Sequence, residues 1–138
     1  MPRERGHEML EHTADVGLRV WAPDLSGLFE EAALALIAVM GTPTSEASRT
    51  ERLALAAPDG VALLVDWLSE VLFLFDARNF VPHVVDAEVS EWELRASLFG
   101  GDAGDFEQGG AAVKAVTYHD AKLERTSSGY EARVYLDV

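Results

Sequence analysis

The sequence predicts an α+β fold, a single domain over residues 1–138 with a largely antiparallel β-sheet and two main helices. Three observations lead there. Two stretches, 25–40 and 61–78, read as helices, the first from its helical spacing of apolar residues and the second as a long apolar run. Runs rich in β-branched and aromatic residues flank them and fill the C-terminal half. Strands and helices do not alternate regularly, which argues against a parallel βαβ sheet. The 138 residues suit one domain, and neither a repeat nor a linker divides them.

Residues 16–22 (VGLRVWA) read as the first strand, which Pro23 ends. Asp24 is a suitable N-cap for a helix on which Leu25, Leu28, Phe29, Ala32, Leu36 and Val39 recur at helical spacing, and Gly41 supplies its stop. Residues 42–48 form a polar loop, and Leu53, Leu55 and Ala57 suggest a second strand. Pro58-Asp59-Gly60 makes a turn, with Asp59 placed to cap a helix from about Val61 to Arg78. That helix is apolar almost all round, with a narrow polar strip at Asp66, Ser69 and Glu70, so it is expected to be buried and central. The stretch Val61 to Phe75 is interrupted by acids and falls short of the ~20 residues of a membrane span. Segments 84–90 and 92–99 read as paired strands and 100–110, with five glycines, as a surface loop. Segments 111–118, 121–126 and 130–137 read as three more strands, the last two joined by a turn at Ser127-Ser128-Gly129.

Charge narrows the function. Lys and Arg total 11 against 24 Asp and Glu, a formal net charge of −13 that is spread evenly over both halves. There is no basic stripe to neutralise phosphates, the usual footprint of a DNA or RNA binder. Free RNA would be repelled over about a Debye length, roughly 8–10 Å. Such a chain is better matched to a basic protein surface or to cations, although solubility alone also accounts for an acidic surface. Cysteine is absent, which removes disulfides, thiolate metal sites and thiol nucleophiles and suits a reducing cytoplasm. The charged start Met1-Pro2-Arg3-Glu4-Arg5 leads into no apolar signal segment.

Walker A, GxGxxG, HExxH and GxSxG patterns are missing. The four histidines His7, His12, His83 and His119 show no helical i, i+4 pair, so a histidine zinc site would need distant segments to converge. Three segments say more. Glu11-His12-Thr13-Ala14-Asp15-Val16-Gly17 precedes the first strand; by residue type alone it is a loop in which Thr13 or Asp15 caps backbone amides. Lys114-Ala115-Val116-Thr117-Tyr118-His119 is a strand with Lys114, Val116 and Tyr118 on one face and His119 where the strand ends. On the last strand Tyr130, Ala132, Val134 and Leu136 share a face, which throws Asp137 to the other side. Asp137 and the free α-carboxylate of Val138 make a small cluster of hard oxygens. Joined by a carboxylate from elsewhere, it could hold Ca²⁺, Mg²⁺ or Mn²⁺; a frayed terminus is the plainer alternative.

Together these segments resemble the archease family from end to end: EHTADVG, the DLSGLFEEAALAL helix, the apolar second helix, KAVTYH, and a terminal acid followed by an aliphatic residue. The resemblance implies an archease-like α+β protein that is not itself an enzyme. It would act in the cytoplasm as cofactor to the GTP- and metal-dependent RNA ligase of the RtcB type, which joins 3′-phosphate or cyclic-phosphate ends to 5′-hydroxyl ends in tRNA splicing and repair. Such proteins promote guanylylation of the ligase and its multiple turnover. The resemblance also implies a divalent cation, Ca²⁺ or else Mg²⁺ or Mn²⁺, on Asp15, Asp137 and Val138. It makes Lys114 the candidate for contact with the ligase centre, with His119 in the same motif. RNA would be met only through the ligase, and neither DNA nor membrane is implied. The cation could be delivered to the ligase, could organise GTP phosphates, or could stiffen the docking tip. Two other readings are a chaperone or specificity factor for a tRNA-modifying enzyme such as a methyltransferase, and a stand-alone metal-dependent phosphohydrolase using Asp15 and Asp137.

Overall fold

Both helices begin where a side chain can satisfy their first free amides. Asp24 is extended and its carboxylate accepts from Gly27 N at 2.6 Å; Asp59 does the same for Ala62 N at 2.8 Å. In the computed structural model, which describes residues 4–11, 15–43, 46–103, 106–107 and 109–138, these caps open α1 (Leu25–Met40) and α2 (Gly60–Arg78). Gly41 N bonds back to Ile37 O to close α1, and Asn79 takes the left-handed conformation to close α2.

The strands are β1 (Gly6–Glu11), β2 (Asp15–Ala22), β3 (Thr42–Pro43), β4 (Arg49–Ala56), β5 (Phe80–Ser90), β6 (Glu93–Asp102), β7 (Phe106–Glu107), β8 (Ala115–Thr126) and β9 (Gly129–Asp137). They form a four-stranded sheet in the order β1-β2-β9-β8, a three-stranded sheet β4-β6-β5 and the short pair β3-β7. All pairings are antiparallel, in agreement with the α+β expectation.

Each helix touches both large sheets. The core joins Leu18, Val20, Val134 and Leu136 of one sheet to Leu94 and Leu98 of the other through Leu28, Phe29, Leu36, Trp67 and Leu68. Trp67 is fully buried, and its indole N–H donates to Phe29 O at 2.8 Å, so one side chain ties the helices together. The expectation that α2 is the central helix needs correcting. It is buried along one side but exposes Ser69, Glu70, Phe73 and Asp76. The more enclosed element is α1, whose small Ala32, Ala33 and Ala35 let neighbours approach from several sides.

Other corrections concern strands. β1 was not expected, β6 runs on through Gly100 and Gly101 to Asp102, and Thr42–Pro43 pairs with Phe106–Glu107, so parts of both predicted loops are strand. A Cβ at Gly100 would lie 1.9 Å from Val81 O, so glycine there reflects close strand approach and not loop freedom. The two strands read at 111–118 and 121–126 are one strand, β8, beginning at Ala115. Between Thr117 (opposite Tyr135) and Lys122 (opposite Arg133) its register shifts, which makes a wide bulge with Asp120 left-handed at φ 54.

The edges of the sheets are managed by charged and polar side chains. Glu30 and Ser26 of α1 accept from Ala87 N (2.9 Å) and Val89 N (3.1 Å) and so cover the outer edge of β5. The other oxygen of Glu30 bonds Arg5 at 2.8 Å, Arg5 also bonds Glu31 at 3.0 Å, and His7 pairs with Glu31, clamping β1 and the residue before it to the helix. Burial works to raise the Glu31 carboxyl, but its hydrogen bonds to His7 and Arg5 and their charges outweigh that and hold it below the ordinary carboxylate value. The unfolded chain therefore takes up this proton first. The clamp contributes fully above the ordinary range and is lost as pH falls through the lowered folded value. Protection of β1 amides, measured against their intrinsic exchange rates, should fall at acid pH ahead of that of β2 and β9, and Glu31→Gln should remove that pH-dependent loss of protection.

Candidate metal and docking site

The site is built by register. Asp15 opens β2 and Asp137 closes β9, and the antiparallel pairing sets them directly opposite each other. Leu136 is fully buried and Val134 nearly so, which turns Asp137 and its partner Asp15 to the outward face. Directly opposed residues hold their Cβ atoms about 4.5–5.5 Å apart. On the other flank Asp137 faces Ala115 of β8, a methyl group that leaves its carboxylate uncrowded. Lys114 N donates to Asp137 O at 2.7 Å, tying the entry of β8 to the end of β9, and Val138 follows, 37% exposed. Asp15, Asp137, Val138 and Lys114 thus meet at one end of the four-stranded sheet.

His119 is placed apart from them. It lies on the β8 bulge, four residues beyond Ala115, with Nε2 3.2 Å from Asp120 and both side chains well exposed. The neighbouring Tyr118 donates its hydroxyl to Asp66 of α2 at 3.1 Å, which pins the bulge to the helix and pushes the phenol up from its ordinary value. His12 and Thr13 lie outside the described residues.

Two further residues, Gly17 at this end and Asp66 beneath the bulge, were not singled out as site residues. A Cβ at Gly17 would lie 3.0 Å from both Leu10 Cβ and the Tyr135 ring, so the missing side chain lets that ring lie across β2. The glycine closing EHTADVG was the available signal. Asp66 stood out only as part of a polar strip, because its partner is distant in sequence.

The donor set fits a hard divalent cation. Two like charges directly opposite on a sheet destabilise it, and among the described residues neither Asp15 nor Asp137 has an ion-pair partner. A cation shared between them would reverse that cost. No group of three His, Cys, Asp or Glu side chains is placed to hold a metal among the described residues; the Val138 carboxylate is the third ligand expected from the sequence. The arrangement carries a signed prediction. In chelator, Asp15→Asn should raise stability by roughly 0.2–1 kcal/mol by relieving repulsion. With a divalent cation in excess the wild type should gain stability and the variant should not, as thermal melts in both conditions would record.

A model of the archease protein family (MTH1598/TM1083) matches residues 7–138. The chain belongs to the archease family. It is 35% identical over its full length to the whole of protein archease from Methanosarcina mazei, and 34% identical to protein archease from Methanothermobacter thermautotrophicus, covering 97% of this chain and 99% of that one. Among solved structures, that of Methanobacterium thermoautotrophicum protein 1598 is similar with a TM-score of 0.75 and 33% identity, covering 96% of this chain and 99% of that chain. An archease from Thermotoga maritima, described as a possible chaperone, shares the fold with a TM-score of 0.68 at 22% identity, over 94% of each chain. The chain therefore has the archease fold, and among the described residues no helix is long and apolar enough to cross a membrane.

Proposed function

We propose that this archease-family protein is a non-catalytic activator of a GTP- and metal-dependent 3′-phosphate/5′-hydroxyl RNA ligase, promoting its guanylylation and multiple turnover in tRNA splicing and RNA repair in the cytoplasm. The observation that carries the reading is the direct opposition of Asp15 and Asp137 beside Lys114 at one sheet end. Asp15 and Asp137, with the Val138 carboxylate, hold the cation. When bound, that cation supplies positive charge against phosphate oxygens. Lys114 stands at the same end, where its ammonium reaches the ligase centre. His119, exposed on the bulge, is a second contact farther along β8. The net charge of −13 favours docking on a basic, RNA-binding ligase and disfavours direct contact with RNA.

The test is ligation with limiting ligase and excess RNA, with and without this protein. Product beyond one equivalent of ligase only in its presence is the expected result; unchanged turnover would end the proposal. A second reading, a chaperone or specificity factor for a tRNA-modifying enzyme such as a methyltransferase, draws on the description of the Thermotoga maritima relative as a possible chaperone. Recovery of a methyltransferase and no ligase on the tagged protein would favour it.

A further inference from the structure

We infer that the outward face of the β4-β6-β5 sheet pairs two copies of this chain, face to face, about a twofold axis parallel to β6. The register sets out that face in rows across the three strands. Thr50, Phe99 and Val84 form an apolar row, with Val84 56% exposed. Next comes Arg52, Ser97 and Asp86, and then Ala54, Arg95 and Glu88. The two charged rows line a shallow concavity of about 530 Å³. Cations stand on β4 and β6, while the acids stand on β5.

These charges are left unpaired. Among the described residues none of Arg52, Arg95, Asp86 and Glu88 forms an ion pair, although Arg95 and Glu88 are directly opposite. The outward face of the other large sheet is arranged differently. There Arg19 is neutralised across strands by Glu8 on β1 and Glu131 on β9, and its guanidinium sits 5.1 Å over the Trp21 ring. Arg19 is thus satisfied by acids on both neighbouring strands, whereas the charges of the β4-β6-β5 face stay separated by sign.

Separation of sign across a sheet is self-complementary under one twofold operation. Rotation about an axis parallel to β6, lying in the contact plane, sets β4 of one copy over β5 of the other. Arg52 then faces Asp86 of the second copy, and Asp86 faces its Arg52. Phe99 meets Phe99 across the axis, flanked by Val84 against Thr50. The small Ser97 faces its own counterpart and admits the close approach of sheets packed about 10 Å apart. Arg95 lies on the axis and faces the second copy's Arg95, so each guanidinium turns aside to Glu88 of the other copy, which stands over the small Ala54 beside it. An axis across the strands at the Ser97 row would instead set Arg52 on Arg52 and Asp86 on Asp86 with no opposite-sign pair facing, so charge favours the axis parallel to β6. Three strands about 4.8 Å apart and eight residues long at about 3.3 Å each give a flat area of roughly 350 Å². That is well below the ~800 Å² per partner of a standard complex, so the dimer is weak and reversible.

The experiment is sedimentation equilibrium of the full chain from about 10 µM to about 1 mM, a range that brackets weak association, near physiological salt to screen the net charge of each copy. The wild type should rise from the monomer mass of 15.0 kDa towards twice that value. Arg52→Asp and Asp86→Arg should each weaken association about tenfold or more while melting like the wild type. An equimolar mixture of the two single variants should regain association, because each supplies the charge the other lacks. The doubly exchanged variant, Arg52→Asp with Asp86→Arg, should also dimerise. A wild type that stays at 15.0 kDa throughout, or an Arg52→Asp variant that associates as well as wild type, or a mixture that fails to recover, would overturn the inference. Association through the exposed edge of β4 would produce the second of these results.

Discussion

Trp67→Ala is expected to cost about 3–5 kcal/mol of stability, as truncation of a buried aromatic does. At roughly 3 °C per kcal/mol for a chain of this size, the melting temperature should fall by about 10–15 °C. The reason is position. The ring is fully enclosed between the helices, and its indole N–H is bonded to Phe29 O, so truncation opens a cavity at the junction of α1 and α2 and removes the tie between them. Trp67→Phe keeps most of the packing but not the donor and should cost roughly 1–3 kcal/mol. Urea titration of the three proteins would check the order. Equal stability of Trp67→Ala and wild type would mean that the helix junction is not the centre of the core.

The largest functional effect is expected at Asp137. Asp137→Ala should abolish ligase activation while leaving the fold intact, because the side chain stands on the outward face beside Ala115 and its loss opens no cavity. In the absence of the cation its removal should raise stability by roughly 0.2–1 kcal/mol, as Asp15→Asn is expected to, because it relieves the same repulsion. Lys114→Ala should reduce activation while leaving cation affinity unchanged, since its proposed partner is the ligase. Multiple-turnover ligation beside thermal melts separates the outcomes. A folded Asp137→Ala protein with full activation would remove the acidic pair from the mechanism.

How much of this was legible in the sequence varies with how local each signal is. The limits of α1 were readable because Asp24 and Gly41 mark them chemically, and those of α2 nearly so from Asp59. β1 was not, since GHEMLE shows no apolar alternation; it is held by pairing with β2 and by Arg5 and His7 on α1, all contacts distant in sequence. The bulge in β8 was mistaken for a gap between two strands, because Tyr118-His119-Asp120 interrupts the period-two pattern where the backbone swells outward. At the candidate site the outward direction of Asp137 followed from alternation along β9. Its opposition to Asp15, 122 positions away, is a matter of register that local patterning does not encode; the resemblance to archease, carried by EHTADVG and the terminal acid, was what joined them. The distance of His119 from that end was readable from its place five residues beyond Lys114 on an extended strand; the bulge that carries it was not.

The central claim is that Asp15 and Asp137 share one divalent cation. Titration calorimetry of Ca²⁺ and Mn²⁺ into metal-free protein tests it most directly, with wild type, Asp15→Ala, Asp137→Ala and the double variant. One cation per chain is predicted, weakened about tenfold or more by either single change, which corresponds to about 1.4 kcal/mol or more. The double variant should lose little beyond the worse single one, because both side chains serve one ion. Unchanged affinity in Asp15→Ala, or losses that simply add, would contradict a shared site.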